Sequence, residues 1–176
     1  MRKVTFGLAN SLANYIARAD DRVDWLTWTK EVAEITAKYW KNVDTIVMGR
    51  KTYDVARRMS KGGSNLYLEK KCYVLSRTLP SGQRDEVEIV SSDAARFVRR
   101  LKRGPGKEIC VLGGGELAKS LFEARLVDEI GLNIHPVLLG AGIPLFHQMK
   151  RQIDLELREC RRFTNGCVFV RYRVKN

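Results

Sequence analysis

Glu108 to Leu121 reads EICVLGGGELAKSL, and the interpretation of this stretch decides the fold. Ile109, Val111 and Leu112 are apolar, broken only by the small Cys110, which predicts a short strand covered on both faces. Gly113, Gly114 and Gly115 lack Cβ atoms, so the chain can turn sharply there and a ligand can approach the backbone. Leu117, Ala118, Leu121 and Phe122 then recur at helical spacing. The free N–H groups and positive dipole end of that helix would face the crevice at the strand's end, where an anion, most often a phosphate, is favoured. The bland alternative is a tight strand-to-helix connection with no ligand. Gly113, Gly115 and Ala118 also fit G-x-G-x-x-A, a weak signal by itself. A Rossmann half would begin with this motif, and too little of the 176-residue chain follows Gly115 to complete one. The stretch points to a phosphate site in a different α/β fold.

The rest of the chain is consistent with one globular domain. Its 176 residues suit a single core, and 44% of them are hydrophobic. No apolar run approaches the roughly 18 residues of a membrane span. The start, MRKVTFGLAN, enters a strand at once without a signal-peptide core, which favours a cytoplasmic location. Cys72, Cys110, Cys160 and Cys167 show no C-x-x-C spacing and read as small buried hydrophobes, with no disulfide frame and no metal site. The net charge of +12 is spread along the chain among acids. Even the densest cluster, Arg96 to Lys107, lies on an amphipathic helix with Ala94, Phe97, Val98 and Leu101 as its apolar face. This argues against nucleic acid as the partner and for attraction of a polyanionic small molecule.

Taken in order, strands are expected at Val4–Ala9, Tyr15–Ile16, Thr45–Met48, Lys71–Leu75, Val87–Val90 and Glu129–Ile134. Helices are expected at 26–40, from Trp28, Val32, Ile35 and Tyr39, at Arg50–Met59, and after Ser92 as N-cap. Ser60 to Asn65 reads as a mobile glycine-rich loop and Pro136 to Phe146 as an apolar connection. Leu155–Arg161 and Val168–Val174 close the chain as an antiparallel hairpin turning at Asn165-Gly166. This order predicts an α/β fold of three layers: a mixed, mainly parallel central sheet, helices on both faces, and an antiparallel C-terminal hairpin. The last strand, with Val168, Val170, Tyr172 and Val174 alternating against basic residues, is expected to form an edge that pairs with a second copy.

Three strand ends carry residues suited to phosphate or ribose: Gly49-Arg50-Lys51-Thr52, Ser76-Arg77-Thr78, and Leu112 with the three glycines. In a mainly parallel sheet all three would share the carboxyl edge, where ligands bind. Arginine offers a planar fork for a phosphate. Each could be an ordinary surface arginine; their joint placement points to a dinucleotide with an extra phosphate, NADPH.

Those residues also carry a resemblance. GRKTYD at Gly49–Asp54 resembles the GR-x-T motif of the dihydrofolate reductase superfamily. LSRT, GGGELAKSL and LVDEIGLNIHPVLLGAGIPLF resemble the branch of the reductase domain of the bifunctional riboflavin-biosynthesis enzyme, and the likeness runs from VTFGLANSLANYIA to the final hairpin. The resemblance implies NADPH-dependent hydride transfer and a homodimer. By it, Arg50, Lys51 and Thr52 with Ser76, Arg77 and Thr78 hold the adenosine phosphate end. Gly113 to Leu117, including Glu116, hold the pyrophosphate, and Ala9 and Ile16 border the nicotinamide. Asn10 and Tyr15 would lie on the substrate side.

One departure stands out. The branch reads Ser-Leu-Asp-Gly-Tyr or Ser-Leu-Asp-Asn-Tyr after the first strand; this chain has Ser11-Leu12-Ala13-Asn14-Tyr15. Glu31 and Asp24 are the remaining candidates for proton donor, the first equally a solvated helix residue, the second equally a helix cap. Trp25 is placed either to stack on a flat heterocycle or to anchor the helix. His135 and His147 lack the partners of a hydrolase triad and read as packing residues. The competing class is a nucleotide- or nucleic-acid-binding protein that keeps the reductase fold without turnover.

Overall fold

The structure is a computed structural model that describes residues 1–59, 70–84 and 86–175; the expected loop at Ser60–Asn65 lies outside them. In chain order the elements are β1 (Val4–Ser11), β2 (Tyr15–Ala17), α1 (Lys30–Trp40), β3 (Val43–Gly49), α2 (Arg50–Met59), β4 (Lys71–Leu75), β5 (Gly82–Arg84), β6 (Val87–Val90), α3 (Ala94–Arg103), β7 (Glu108–Val111), α4 (Gly115–Glu123), β8 (Glu129–His135), β9 (Ile143–Pro144), β10 (Leu155–Arg162) and β11 (Val168–Val174).

Among the described residues, nine strands form one sheet in the order β10-β11-β8-β1-β7-β3-β4-β6-β5. The six from β8 to β6 are parallel, and β5 and β11 run antiparallel to their neighbours. The apolar runs of β1, β3 and β7 fall at the middle because only a central strand is covered on both faces. Val4, Phe6, Val47, Ile109 and Val111 point to one side and pack with Phe97 and Val98 of α3 and Leu117, Leu121 and Phe122 of α4. Ile46, Met48, Val74 and Cys110 point to the other and meet Tyr53 of α2 and Tyr39 of α1. Helices on both faces and the closing hairpin are therefore as expected.

Five local expectations need correction. First, α1 begins at Lys30: Thr29 is its N-cap, accepting from the backbone N–H of Val32, and Trp28 is 70% exposed. Trp28 fits the helical period, but a hydroxyl able to satisfy a free N–H sets the boundary instead. Asp24, offered as a cap, accepts from Arg18. Second, Asp93, not Ser92, caps α3 by accepting from Arg96 N–H at 2.7 Å. Third, the stretch from Pro136 to Phe146 contains β9, which pairs with β2 outside the main sheet. Fourth, β11 is not an edge: it lies between β8 and β10, because the hairpin folds outward and gives the edge to β10. Fifth, Cys72, Cys110 and Cys167 are buried as expected, but Cys160, on β10, is exposed.

A candidate cofactor edge and substrate strip

The three strand ends meet. β7 lies beside β3, and β3 beside β4, so their carboxyl ends are consecutive along one edge. Gly49 N–H donates to Gly113 O at 3.0 Å, and Leu112 N–H to Val47 O at 3.0 Å, tying the first site to the third. A Cβ on Gly49 would stand 3.5 Å from Gly114 N, and one on Gly114 would stand 3.6 Å from the Thr52 hydroxyl oxygen. The turn is packed closely against the start of α2, with Thr52 at its side. Gly113 takes φ 96°, a conformation that needs glycine. Arg50 donates to the Thr78 hydroxyl at 2.8 Å, which joins the first site to the second. Ser76 is buried, and its hydroxyl accepts from the N–H groups of Thr78 and Leu79 at 3.2 and 3.0 Å. Ser76 therefore shapes the turn, while Arg50, Lys51 and Arg77 stand exposed around it.

At α4 the N-cap is Gly114, and among the described residues no side chain caps the helix. The first intrahelical bond there runs from Ala118 N–H to Gly114 O at 3.0 Å. Uncapped N–H groups at a helix start attract anions. Gly115, however, is not open to a ligand on its Cβ side. A Cβ there would lie 2.5 Å from the His147 ring and 3.0 Å from Pro144 O. Of the three glycines, the third is needed for close packing and the first for the turn. Glu116 is exposed and faces His147, and Leu117 is buried in the core.

The other half of the site lies at the ends of β1 and β8. Gly7 and Ala9 pair in register with Gly131 and Asn133 and share one sheet face. All four are half-exposed, whereas Ile46 and Met48, farther across that face, are fully buried. The sheet is open here as a strip. The Tyr39 hydroxyl and Gly131 O lie 3.8 Å from a Gly7 Cβ, and the Phe169 ring lies 3.8 Å from one on Gly131. The absent side chains keep this floor low. Asn133, which sequence reading missed, is the polar side chain beside Ala9. No local pattern marks it, because only the β1–β8 register brings it there.

Several expected residues sit elsewhere. Asn10 is buried and donates to Ser11 O and Asn14 Oδ1, so it holds the turn. Asn14, at φ 61°, accepts through its carbonyl from Leu145 N–H at 2.8 Å. Ala13 is half-exposed in that turn, and Tyr15 and Ile16 enter β2. Trp25 is buried edge-on against His135 at 5.3 Å, which answers for the anchor and not for an open stacking platform. His135 is also buried. Its nitrogens lie 3.4 Å from the Thr27 hydroxyl and 3.3 Å from the Asn133 amide nitrogen, and burial lowers its pKa.

Neither candidate acid is free. The Glu31 carboxylate accepts from Thr164 N–H at 2.9 Å and from the Thr164 hydroxyl at 2.5 Å, and these bonds lower its pKa. Asp24 accepts from Arg18 Nε–H at 2.6 Å, which lowers its pKa in the same way. A carboxylate held ionised below its usual range is a poor proton donor near neutral pH. Burial pushes the Cys72 thiol up to about 11 and Cys110 to about 12, so both are inert packing groups. Among the described residues no cluster of three or more metal-ligating side chains occurs, and no helix is long and apolar enough to cross a membrane.

A mainly parallel sheet whose carboxyl edge holds GR-x-T, an uncapped glycine-led helix and an open strip beside the first strand has the arrangement of a dihydrofolate reductase-like fold. The chain belongs to the family described as RibD C-terminal domain, which it matches over residues 66–169. It is similar to the uncharacterized protein YwjB of Bacillus subtilis, at 32% identity over 92% of each chain. Among solved structures it resembles a Shewanella sp. PV-4 protein assigned to riboflavin biosynthesis, with a TM-score of 0.84, 26% identity and full coverage of both chains. The fold alone is shared with dihydrofolate reductase from Enterococcus faecalis complexed with NADP(H), at TM-score 0.71 and 15% identity, covering 99% of this chain and 97% of that one.

Proposed function

We propose that residues 1–176 act as a single-domain, NADPH-dependent reductase of a small flat heterocycle, pterin- or folate-like or a ribosyl- or ribitylamino-pyrimidine. The observation that carries this reading is the convergence of Gly49–Thr52, Ser76–Thr78 and Gly113–Leu117 on one edge, linked by the Gly49–Gly113 and Arg50–Thr78 hydrogen bonds. The donor set fits the cofactor. The uncapped start of α4 and the Thr52 hydroxyl suit a pyrophosphate, and exposed Arg50, Lys51 and Arg77 suit an extra phosphate. When bound, NADPH supplies the hydride. Arg50, pre-placed by Thr78, grips the phosphate end. Ala9 and Ile16 flank the nicotinamide, and the strip over Gly7, Gly131 and Asn133 seats the heterocycle.

With Ala13 in place of a carboxylate and both Glu31 and Asp24 engaged, orientation is the protein's contribution and proton supply is its weak point. This favours slow turnover on pterin-like substrates. A homodimer completes the reading, with β10 as the contact edge because Leu155 and Leu157 are 40% and 54% exposed there. A monomeric mass by light scattering at micromolar concentration contradicts the dimer. Stopped-flow oxidation of NADPH with 7,8-dihydrofolate and with a ribosylaminopyrimidine tests the activity. No oxidation above the substrate-free rate with either contradicts reductase action on both classes.

A further inference from the structure

His147 reads from sequence as a packing residue, and the structure gives it a particular place. Its ring fills the position where a Gly115 side chain would be: a Cβ there would stand 2.5 Å from His147 Cδ2 and 2.7 Å from Nε2. In a helix the Cα–Cβ bond tilts toward the N-terminus. A ring nitrogen at that position therefore flanks the first turn of α4 at its N-terminal end, beside Pro144 O. The other nitrogen, Nδ1, lies 3.4 Å from Glu116 Oε1, and the His147 side chain remains 30% exposed. The ring is thus packed on Gly115 through its Cδ2–Nε2 edge, placed beside an acid, and partly exposed.

We propose that His147 is a cofactor-binding residue whose Nε2–H donates to the pyrophosphate that the start of α4 receives, with Glu116 accepting from Nδ1–H and so orienting the ring. This rests on the NADPH reading above. Gly115 acquires a second role, since any side chain there would displace the imidazole from the anion.

The test is calorimetric titration of the full chain with NADPH and with NADH. The pyrophosphate is common to both, so His147→Ala weakens both alike, by about tenfold, as expected for one hydrogen bond to a charged group. His147→Phe keeps a flat ring against Gly115 and removes the donors, and it shows the same loss. His147→Gln, which retains an N–H at similar reach, loses less. In the wild type, the chain has only two histidines, so the His147 ring resonances can be followed directly, and they shift on adding NADPH. Unchanged affinity in His147→Phe, loss for NADPH alone, or unmoved ring resonances at saturation would each overturn the inference. A wild type that binds neither dinucleotide overturns the cofactor reading instead. Where His147→Ala does not fold, the Phe variant and the wild-type resonances decide.

Discussion

The proposed cofactor edge and the proposed substrate strip of this protein are built in opposite ways. The edge consists of three short local motifs, each a strand end running into a turn or helix, and hydrogen bonds between neighbouring strands lock them together. The strip consists of residues distant in sequence, Gly7, Ala9, Gly131 and Asn133, that become a surface only through the β1–β8 register. On the edge, exposed cations stand near a helix start that no side chain among the described residues caps. Around the strip, every candidate acid is already committed to a structural bond. On the proposed reading, the fold keeps the residues suited to the cofactor while the substrate side lacks a free carboxylate.

The largest effect should come from restoring a carboxylate. A well-placed general acid contributes about 10²–10⁴-fold in rate, so Ala13→Asp should raise kcat by at least about tenfold, with NADPH affinity unchanged. Steady-state kinetics with dihydrofolate and a ribosylaminopyrimidine check this. An unchanged or lower kcat would mean that the proton already arrives by another route and that the two halves differ less than the structure implies.

Next comes Arg50→Ala. A hydrogen bond to a charged group contributes about 1.5–3 kcal/mol, so NADPH binding should weaken about ten- to a hundredfold, and NADH binding much less. Equal losses would make Arg50 only a structural partner of Thr78 and of Asp54, whose carboxylate lies 3.5 Å from Arg50 Nε.

A smaller effect concerns acid stability at the strip. Burial lowers the His135 pKa in the fold. The unfolded chain then binds this proton more readily, so the associated stability is complete above the ordinary histidine range, near 6.5, and is lost as pH falls from there toward the folded value. Thermal melts from pH 7.5 to 5 should therefore fall more steeply for the wild type than for His135→Gln.

The smallest effect is expected from Glu31→Gln. Because Glu31 serves Thr164, kcat should stay within about twofold, far below the loss expected on removing a general acid. A loss of about a hundredfold would return Glu31 to the chemistry.

The same contrast explains how much could be read in advance. α2, β4, β6 and β11 have the expected bounds, and Gly49–Thr52, Ser76–Thr78 and Gly113–Gly115 lie at the expected strand ends. Their signals are local: a buried strand, a glycine turn, a helical period. The misjudged elements depended on competition or on distant partners. Thr29 overrode the helical spacing of Trp28, and β9 exists only because β2 lies beside it. Gly142 permits that pairing, since a Cβ there would meet Ala17 O at 2.3 Å. Asn133 and the engaged states of Asp24 and Glu31 follow from tertiary contacts with no trace in local sequence. From sequence Trp25 is open to either stacking or anchoring and Asn10 reads as a substrate-side residue; the fold buries both.

The central claim is that the cofactor edge is complete and selective whatever the strip can do. Calorimetric titration of the wild-type chain with NADPH, with NADH and with a short RNA at two salt concentrations tests it most directly. The account predicts one NADPH per chain, at least about tenfold tighter than NADH, a difference of about 1.4 kcal/mol that one phosphate-gripping arginine can supply. Absent NADPH binding, together with tight RNA binding that falls steeply with salt, would contradict it.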